Sequence, residues 1–218
     1  MPKQGQRTPT DEDRLNKYLT STLYEVFKEI PNPYAPRMKI TPLSIEGVKL
    51  ITVDRYEDQR GCFSDHWHEE KFKEITGDVV FRQDSFVTST RGVVRGLHYQ
   101  LPPYEQYKLV RCVEGAVQDV IVDLRKSSKT FGTWINVKLV AEHHDMVWIP
   151  PGCAHGYAVL GGRANILYKM TQIHNPEHER TLLWNDPTLD IKWECGKRPI
   201  LSTKDKEGIP FKDIDLFE

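Results

Sequence analysis

No apolar run in this sequence approaches the roughly 18 residues that a bilayer-crossing helix needs, which excludes a transmembrane helix. Charge of one sign is also missing: the formal net charge is −1 and no run of Lys or Arg stands out. A basic face that would draw nucleic acid or anionic lipid is therefore not expected. No GxGxxG or GxxxxGK(S/T) follows any strand-like run, so dinucleotide-binding and P-loop readings fail. Cysteine is sparse, and Cys62, Cys112, Cys153 and Cys195 form no CxxC pair that could hold zinc or a redox couple. Without a basic-then-apolar leader, the expectation is a cytoplasmic protein with reduced thiols.

What is present is enough for one sizeable core, since 39% of 218 residues are hydrophobic. Thr10 can cap a helix with Asp13 at its third position, and Leu15, Tyr18, Leu19, Leu23, Val26, Phe27 and Ile30 recur at helical spacing. An amphipathic helix is expected over residues 11–30, its stripe fit to pack on the domain that follows. Pro31, Pro33 and Pro36 end that pattern, so residues 1–37 read as an N-terminal extension and residues 38–218 as one domain. Within it, VKLITV, VVFRQDSFV, KLVRCV, AVQDVIVDL, WINVKLV, MVWIP, GYAVL and ILYKMTQI are separated by turn signals every eight to twelve residues or so. The expected class is all-β, an antiparallel sandwich or barrel. One short helix, His68 to Thr76 closed by Gly77, interrupts it, and the piece after Trp193 reads as an irregular tail.

Histidines at 98 and 155 in a small β fold raise the question of a metal, but the second position of a His-x-His pair is Gln100, a poor substitute for imidazole. These histidines are either structural or act without a metal, and for His66, His68, His143, His144 and His178 the structural reading is taken. Lys108 returns after a Pro-Pro turn on what should be the next strand, close enough to share a cavity with His98. Strict alternation would put Arg95 and His98 on opposite faces, so both serve one pocket only if Gly96 marks a bulge. Tyr168 and His174 share a face with Ile166, Met170 and Gln172, where Tyr168 is either a core aromatic or a cavity residue.

Read together, DQRGCF, FRQDS, RGLHYQLPPYEQYKLVRCVEG, DLRKSSKTFG, WIPPGCAHGYAVL, LYKMT, NPEHER, WNDPTLDIKW and LSTKD, in order from about Met38 onward, resemble the dTDP-4-dehydrorhamnose 3,5-epimerase family. The resemblance implies a metal-independent cupin-type jelly roll, usually a homodimer and without cofactor. Its substrate would be a nucleotide-linked 4-keto-6-deoxyhexose, inverted at carbons beside the ketone. By the same resemblance His98 is the base with Asp205 as partner, Lys108 stands near the ketone, and Tyr168 returns a proton from the other face. His155 with Asp119 forms a second pair in the pocket, and Arg95 is a diphosphate ligand. Arg60, Phe63, Asp65, Gln83, Asp84, Ser85, His174, Glu179 and Lys204 match positions that contact nucleotide or sugar, some across a dimer.

Three departures stand where substrate is held: Asp65 replaces the family's usual glutamate, Ser85 the asparagine of QDN, and Ile173 and His174 a pair of tyrosines. A carboxylate shortened by one methylene and an amide replaced by a hydroxyl change reach and hydrogen-bond inventory. The expectation is a 3,5-epimerase; the rivals are an epimerase at one carbon only, a sugar-nucleotide binding module without turnover, and a metal-dependent cupin oxygenase.

Overall fold

The computed structural model describes residues 37–218, so the helix expected over residues 11–30 lies outside the described residues. With strands numbered in chain order, six form one sheet in the order β1 (Met38–Pro42), β2 (Lys49–Val53), β10 (Met146–Ile149), β7 (Lys108–Glu114), β12 (Arg163–Met170) and β5 (Gln83–Thr90). Five form the facing sheet in the order β13 (Glu179–Thr181), β6 (Val94–Gln100), β11 (Cys153–Val159), β8 (Ala116–Asp123) and β9 (Trp134–Val140). Strands β3 (Tyr56–Asp58) and β4 (Gly61–Phe63) make a separate hairpin. The described strands of both sheets pair antiparallel, so the expected all-β class is what the chain adopts.

Period-two alternation decides what fills the space between the sheets. On β7, Val110 and Cys112 point inward and Leu109 outward; on β12, Ile166 points inward. They meet Val117, Ile121, Leu139, Tyr157 and Val159 from the other sheet, nearly all of them without solvent exposure. Each fully buried aliphatic side chain contributes about 1.5–3 kcal/mol of hydrophobic stabilisation.

Each sheet also has a covered outer face. Helix α1 (Glu69–Thr76) closes with the Gly77 N–H donating to the Lys73 carbonyl at 2.9 Å, and glycine tolerates the φ of +74° that this stop demands. Its Phe72 and Ile75 pack on Ile51, Leu109, Met146 and Trp148 of the six-stranded sheet. The expected strand through VVFRQDSFV begins only at Gln83, because Val79 and Phe81 turn to this same outer cluster. The C-terminal segment is irregular in backbone, as expected, yet it is no loose tail. Leu189, Ile191 and Ile214 cover Leu97, Val120, Val122 and Ala154 on the five-stranded sheet, and the segment forms a further helix, α2 (Thr203–Lys206). Sequence patterning missed this because the covering residues are spread among Lys, Asp and Pro with no period.

DLRKSSKTFG, at the end of β8, is organised by the buried Asp123 carboxylate. It accepts from Arg125 Nε at 2.8 Å, Arg125 Nη2 at 3.0 Å, Ser128 Oγ at 2.5 Å and Thr130 Oγ1 at 2.7 Å. Burial disfavours its charge, but these donors outweigh that and hold its pKa below the usual carboxylate value. Asp123→Ala strands the donors and is expected to cost about 3 kcal/mol of unfolding free energy in urea titration. A loss under about 1 kcal/mol would mean that water replaces the carboxylate.

Candidate active site

At one end of the sandwich the inward positions change from apolar to polar. His98 on β6 and His155 on β11 are register partners, and across from them stand Lys108 on β7 and Tyr168 on β12. The result is a cavity of about 300 Å³ open on one side.

Both Arg95 and His98 line this cavity, which plain alternation forbids. The ladder between β6 and β11 slips here: His98 pairs with His155, but Arg95 pairs with Tyr157, so two residues of β6 oppose one of β11. Gly96 makes the slip possible. Its φ is +127°, and a Cβ there would lie 2.5 Å from the Gly156 Cα and 3.0 Å from the His155 carbonyl oxygen. The opposing Gly156 is equally constrained, since its Cβ would meet the Arg95 carbonyl oxygen at 2.5 Å. Two glycines in contact thus bring both side chains to one face.

His98 Nε2 lies 2.6 Å from Asp205 Oδ1. The Asp205 carboxyl is buried at the start of α2, with its own N–H donating to the capping Ser202 Oγ at 3.1 Å. Burial disfavours its ionisation, but the hydrogen bond and charge of His98, with Ser202 and Lys204, hold its pKa below the ordinary value. An ionised carboxylate can only accept, so Nε2 carries the proton and the lone pair of the neutral ring is on Nδ1. Burial lowers the His98 pKa; Asp205 opposes that, and the cations Lys204 and Lys108 add to it. The ring is therefore neutral at neutral pH.

Lys108 Nζ donates to the His98 carbonyl oxygen at 3.1 Å. Burial pushes its pKa down to about 8, against the pull of Glu179 and Asp119. Glu179 accepts from Lys204 Nζ at 2.5 Å and lies 3.2 Å from His174 Nε2, and the His174 N–H donates to Gln83 Oε1 at 2.8 Å. Gln83 in turn donates to Ser85 Oγ at 3.1 Å, so two of the positions that depart from the family pattern, Ser85 and His174, are tied into one rim.

Tyr168 points inward beneath that rim, edge-on to the His155 ring at 5.9 Å between centroids. Burial raises its pKa well above 10, with Tyr157 and Asp119 adding to the rise, so the phenol stays protonated. His155 Nε2 is 2.8 Å from Asp119 Oδ2, in a pair almost wholly out of solvent.

Of the residues singled out from the sequence, Gln83, Ser85, Arg95, His98, Lys108, His155, Tyr168, His174 and Glu179 line the cavity, with Asp205, Asp119 and Lys204 behind them. Asp84 does not, because alternation turns it outward to Lys169 at 2.9 Å. Arg60 and Phe63 project from the β3–β4 hairpin into solvent, 89% and 63% exposed, with Arg60 paired to Asp58. Asp65 follows that hairpin and does not line the cavity. Gln106 and Tyr157, not singled out, do line it; only the identity of the facing strands reveals them. Gln100 uses its amide on backbone, donating to the Tyr104 carbonyl at 2.6 Å and accepting from the Asn175 N–H at 2.7 Å. Among the described residues no group of three or more His, Cys, Asp or Glu converges as metal ligands do, and no helix is long and apolar enough to cross a membrane.

Residues 42–213 match the family model described as dTDP-4-dehydrorhamnose 3,5-epimerase. The chain belongs to that epimerase family. Among its relatives, the dTDP-4-dehydrorhamnose 3,5-epimerase of Pseudomonas aeruginosa is 47% identical over 181 residues, and that of Shigella flexneri 45% over 181 residues. Each match covers 83% of this chain and 99% of the relative. The solved epimerase of Legionella pneumophila, in complex with dTDP-4-keto-L-rhamnose, superposes with a TM-score of 0.79 at 40% identity, covering 82% of this chain and 95% of that one. The cupin-type jelly roll expected from the sequence is the fold of these epimerases.

Proposed function

We propose that the protein converts dTDP-4-dehydro-6-deoxyglucose to dTDP-4-dehydrorhamnose, inverting C3 and C5 through enolates. One observation carries this reading: an imidazole with a buried carboxylate partner and a protonated phenol enter one cavity from facing sheets, with an ammonium beside them.

Each inversion needs a proton removed from one face of a carbon and another delivered to the opposite face. Neutral His98 takes the proton next to the ketone, and Asp205 stabilises the imidazolium that forms. The electron pair moves onto the ketone oxygen, where the Lys108 ammonium offsets the new charge. Tyr168 then gives its proton to the carbon from the other side; solvent returns a proton to Tyr168 and takes the one held by His98, and a second round inverts the other carbon. His155 with Asp119 shapes the wall beside the sugar. Arg95 suits the diphosphate because its planar fork matches phosphate oxygens. His174, Glu179, Lys204, Gln83 and Ser85 hold the sugar and nucleotide at the rim. The four unpaired cysteines suit a reducing cytoplasm.

Turnover of that substrate in D2O, followed by NMR, is expected to place deuterium at both C3 and C5. Label at a single carbon would make this a mono-epimerase, and binding without label would make it a binding module.

We further propose a homodimer in which the β3–β4 hairpin carries Arg60 and Phe63 to the partner's cavity, with Asp65 at its base. The exposure of Phe63 and of Tyr56, 50% exposed on the same hairpin, supports this, since large aromatic side chains in solvent mark contact surfaces. Light scattering is expected to give twice the mass of the chain, and a monomer that retains full activity would overturn the arrangement.

A further inference from the structure

Two hydroxyls are buried between the sheets where apolar groups would fill the space. Ser89, on β5 of the six-stranded sheet, is 2% exposed, and Tyr157, on β11 of the five-stranded sheet, has no exposure. A buried hydroxyl costs free energy unless it is hydrogen-bonded. Here both are bonded: Tyr157 Oη lies 2.8 Å from Ser89 Oγ, and Ser89 Oγ accepts the Arg95 Nε–H at 3.0 Å. With one hydrogen and two lone pairs, the serine serves both partners at once. Arg95 is also the register partner of Tyr157 at the glycine-built slip, so the slip that brings Arg95 to the cavity also sets it against this pair.

Unlike the two hydroxyls, Arg95 is an exposed residue at the edge of the cavity. A long side chain there samples many rotamers, and freezing them when a ligand arrives costs affinity. Fastening Nε fixes the plane of the guanidinium in advance. The two terminal nitrogens have no protein acceptor among the described residues, and their paired N–H bonds match two oxygens of a diphosphate. The chemistry of the anchor matters too: serine is a neutral acceptor, so it orients the guanidinium without neutralising the charge that a diphosphate needs, as a carboxylate would.

We infer that Ser89, backed by Tyr157, is a positioning residue for diphosphate binding: the pair holds the Arg95 guanidinium in the orientation in which its terminal nitrogens meet the phosphate oxygens of the substrate. This rests on the proposed reading of Arg95 as the diphosphate ligand. Neither hydroxyl takes part in proton transfer. Their removal therefore weakens the hold on the nucleotide and leaves the chemistry of His98 and Tyr168 as it is.

The test compares dTDP with thymidine, which has the same base and pentose and no phosphate, in calorimetric and NMR titrations beside steady-state kinetics. Ser89→Ala is expected to weaken dTDP binding about tenfold and raise KM alike, the cost of ordering one rotamer-rich side chain on binding, with kcat and thymidine affinity within about twofold of wild type. Tyr157→Phe removes one oxygen from the far end of the anchor and should weaken dTDP about threefold in the same pattern. It decides the matter if Ser89→Ala does not fold. A fall in kcat or in thymidine affinity as large as that in dTDP affinity would show that the hydroxyls support the fold at large, and the inference would fail. Arg95→Gln separates the two levels. If it leaves dTDP affinity unaltered, Arg95 is not the diphosphate ligand and the anchor has nothing to position. If it loses dTDP affinity while folded Ser89→Ala and Tyr157→Phe bind dTDP like wild type, Arg95 holds the diphosphate unaided and the two hydroxyls only satisfy each other.

Discussion

His98→Ala is expected to lower kcat about 10³-fold and to abolish deuterium exchange at both C3 and C5, because a positioned base contributes some 10²–10⁴ to such proton transfers. The ring is 28% exposed toward the cavity, so the substitution leaves a polar gap and not an apolar void, and the fold should survive it. Affinity for dTDP should hardly change, which separates lost chemistry from lost binding. The pH profile follows from the same ring. His98 must be neutral to accept a proton, so activity rises as pH climbs through its pKa, which burial keeps below 6.5. Exchange at the wild-type rate in the folded variant would move the base elsewhere, His155 being the other imidazole of the cavity.

Lys108→Met is expected to cost about 10²–10³ in kcat, the loss measured when a preorganised donor to a developing oxyanion is removed. Here the cation must be charged to act. Burial brings its pKa to about 8, so wild-type activity falls as pH rises through that value. The expected profile is therefore bell-shaped, with its acid limb from His98 and its alkaline limb from Lys108. Tyr168, with a pKa well above 10, contributes to neither limb. Lys108→Met should remove the alkaline limb and leave a low, flat plateau there. If the fall near pH 8 persists in that variant, Lys108 is not the titrating group, and enolate stabilisation has to come from another donor.

Much of this was legible in the sequence because strands declare themselves by period. The runs around KLVRCV, AVQDVIVDL, WINVKLV and ILYKM form ladders as expected, and the helix from His68 to Gly77 carried its stop signal in a glycine. The need for a bulge between Arg95 and His98 could also be stated in advance, since two residues three apart on a strand cannot share a face without one. Other features left no such trace. Asp84 was grouped with Gln83 and Ser85, yet the alternation that turns its neighbours inward turns it outward. The short strands β3, β4 and β13 are too brief to show a period.

The sequence by itself determined the all-β class, the near-neutral balance of charge and the residue types of the chemistry, through alternation, turn residues and a long run of motif-bearing segments. Tertiary structure alone decided that Asp205, 107 residues beyond His98, would lie against its ring, and that Tyr157 and Tyr168, on facing sheets, would line one cavity. The physical reason is that local patterns fix which face a side chain takes. Which faces meet depends on how two sheets pack and on where an aperiodic C-terminal segment finds apolar surface to cover.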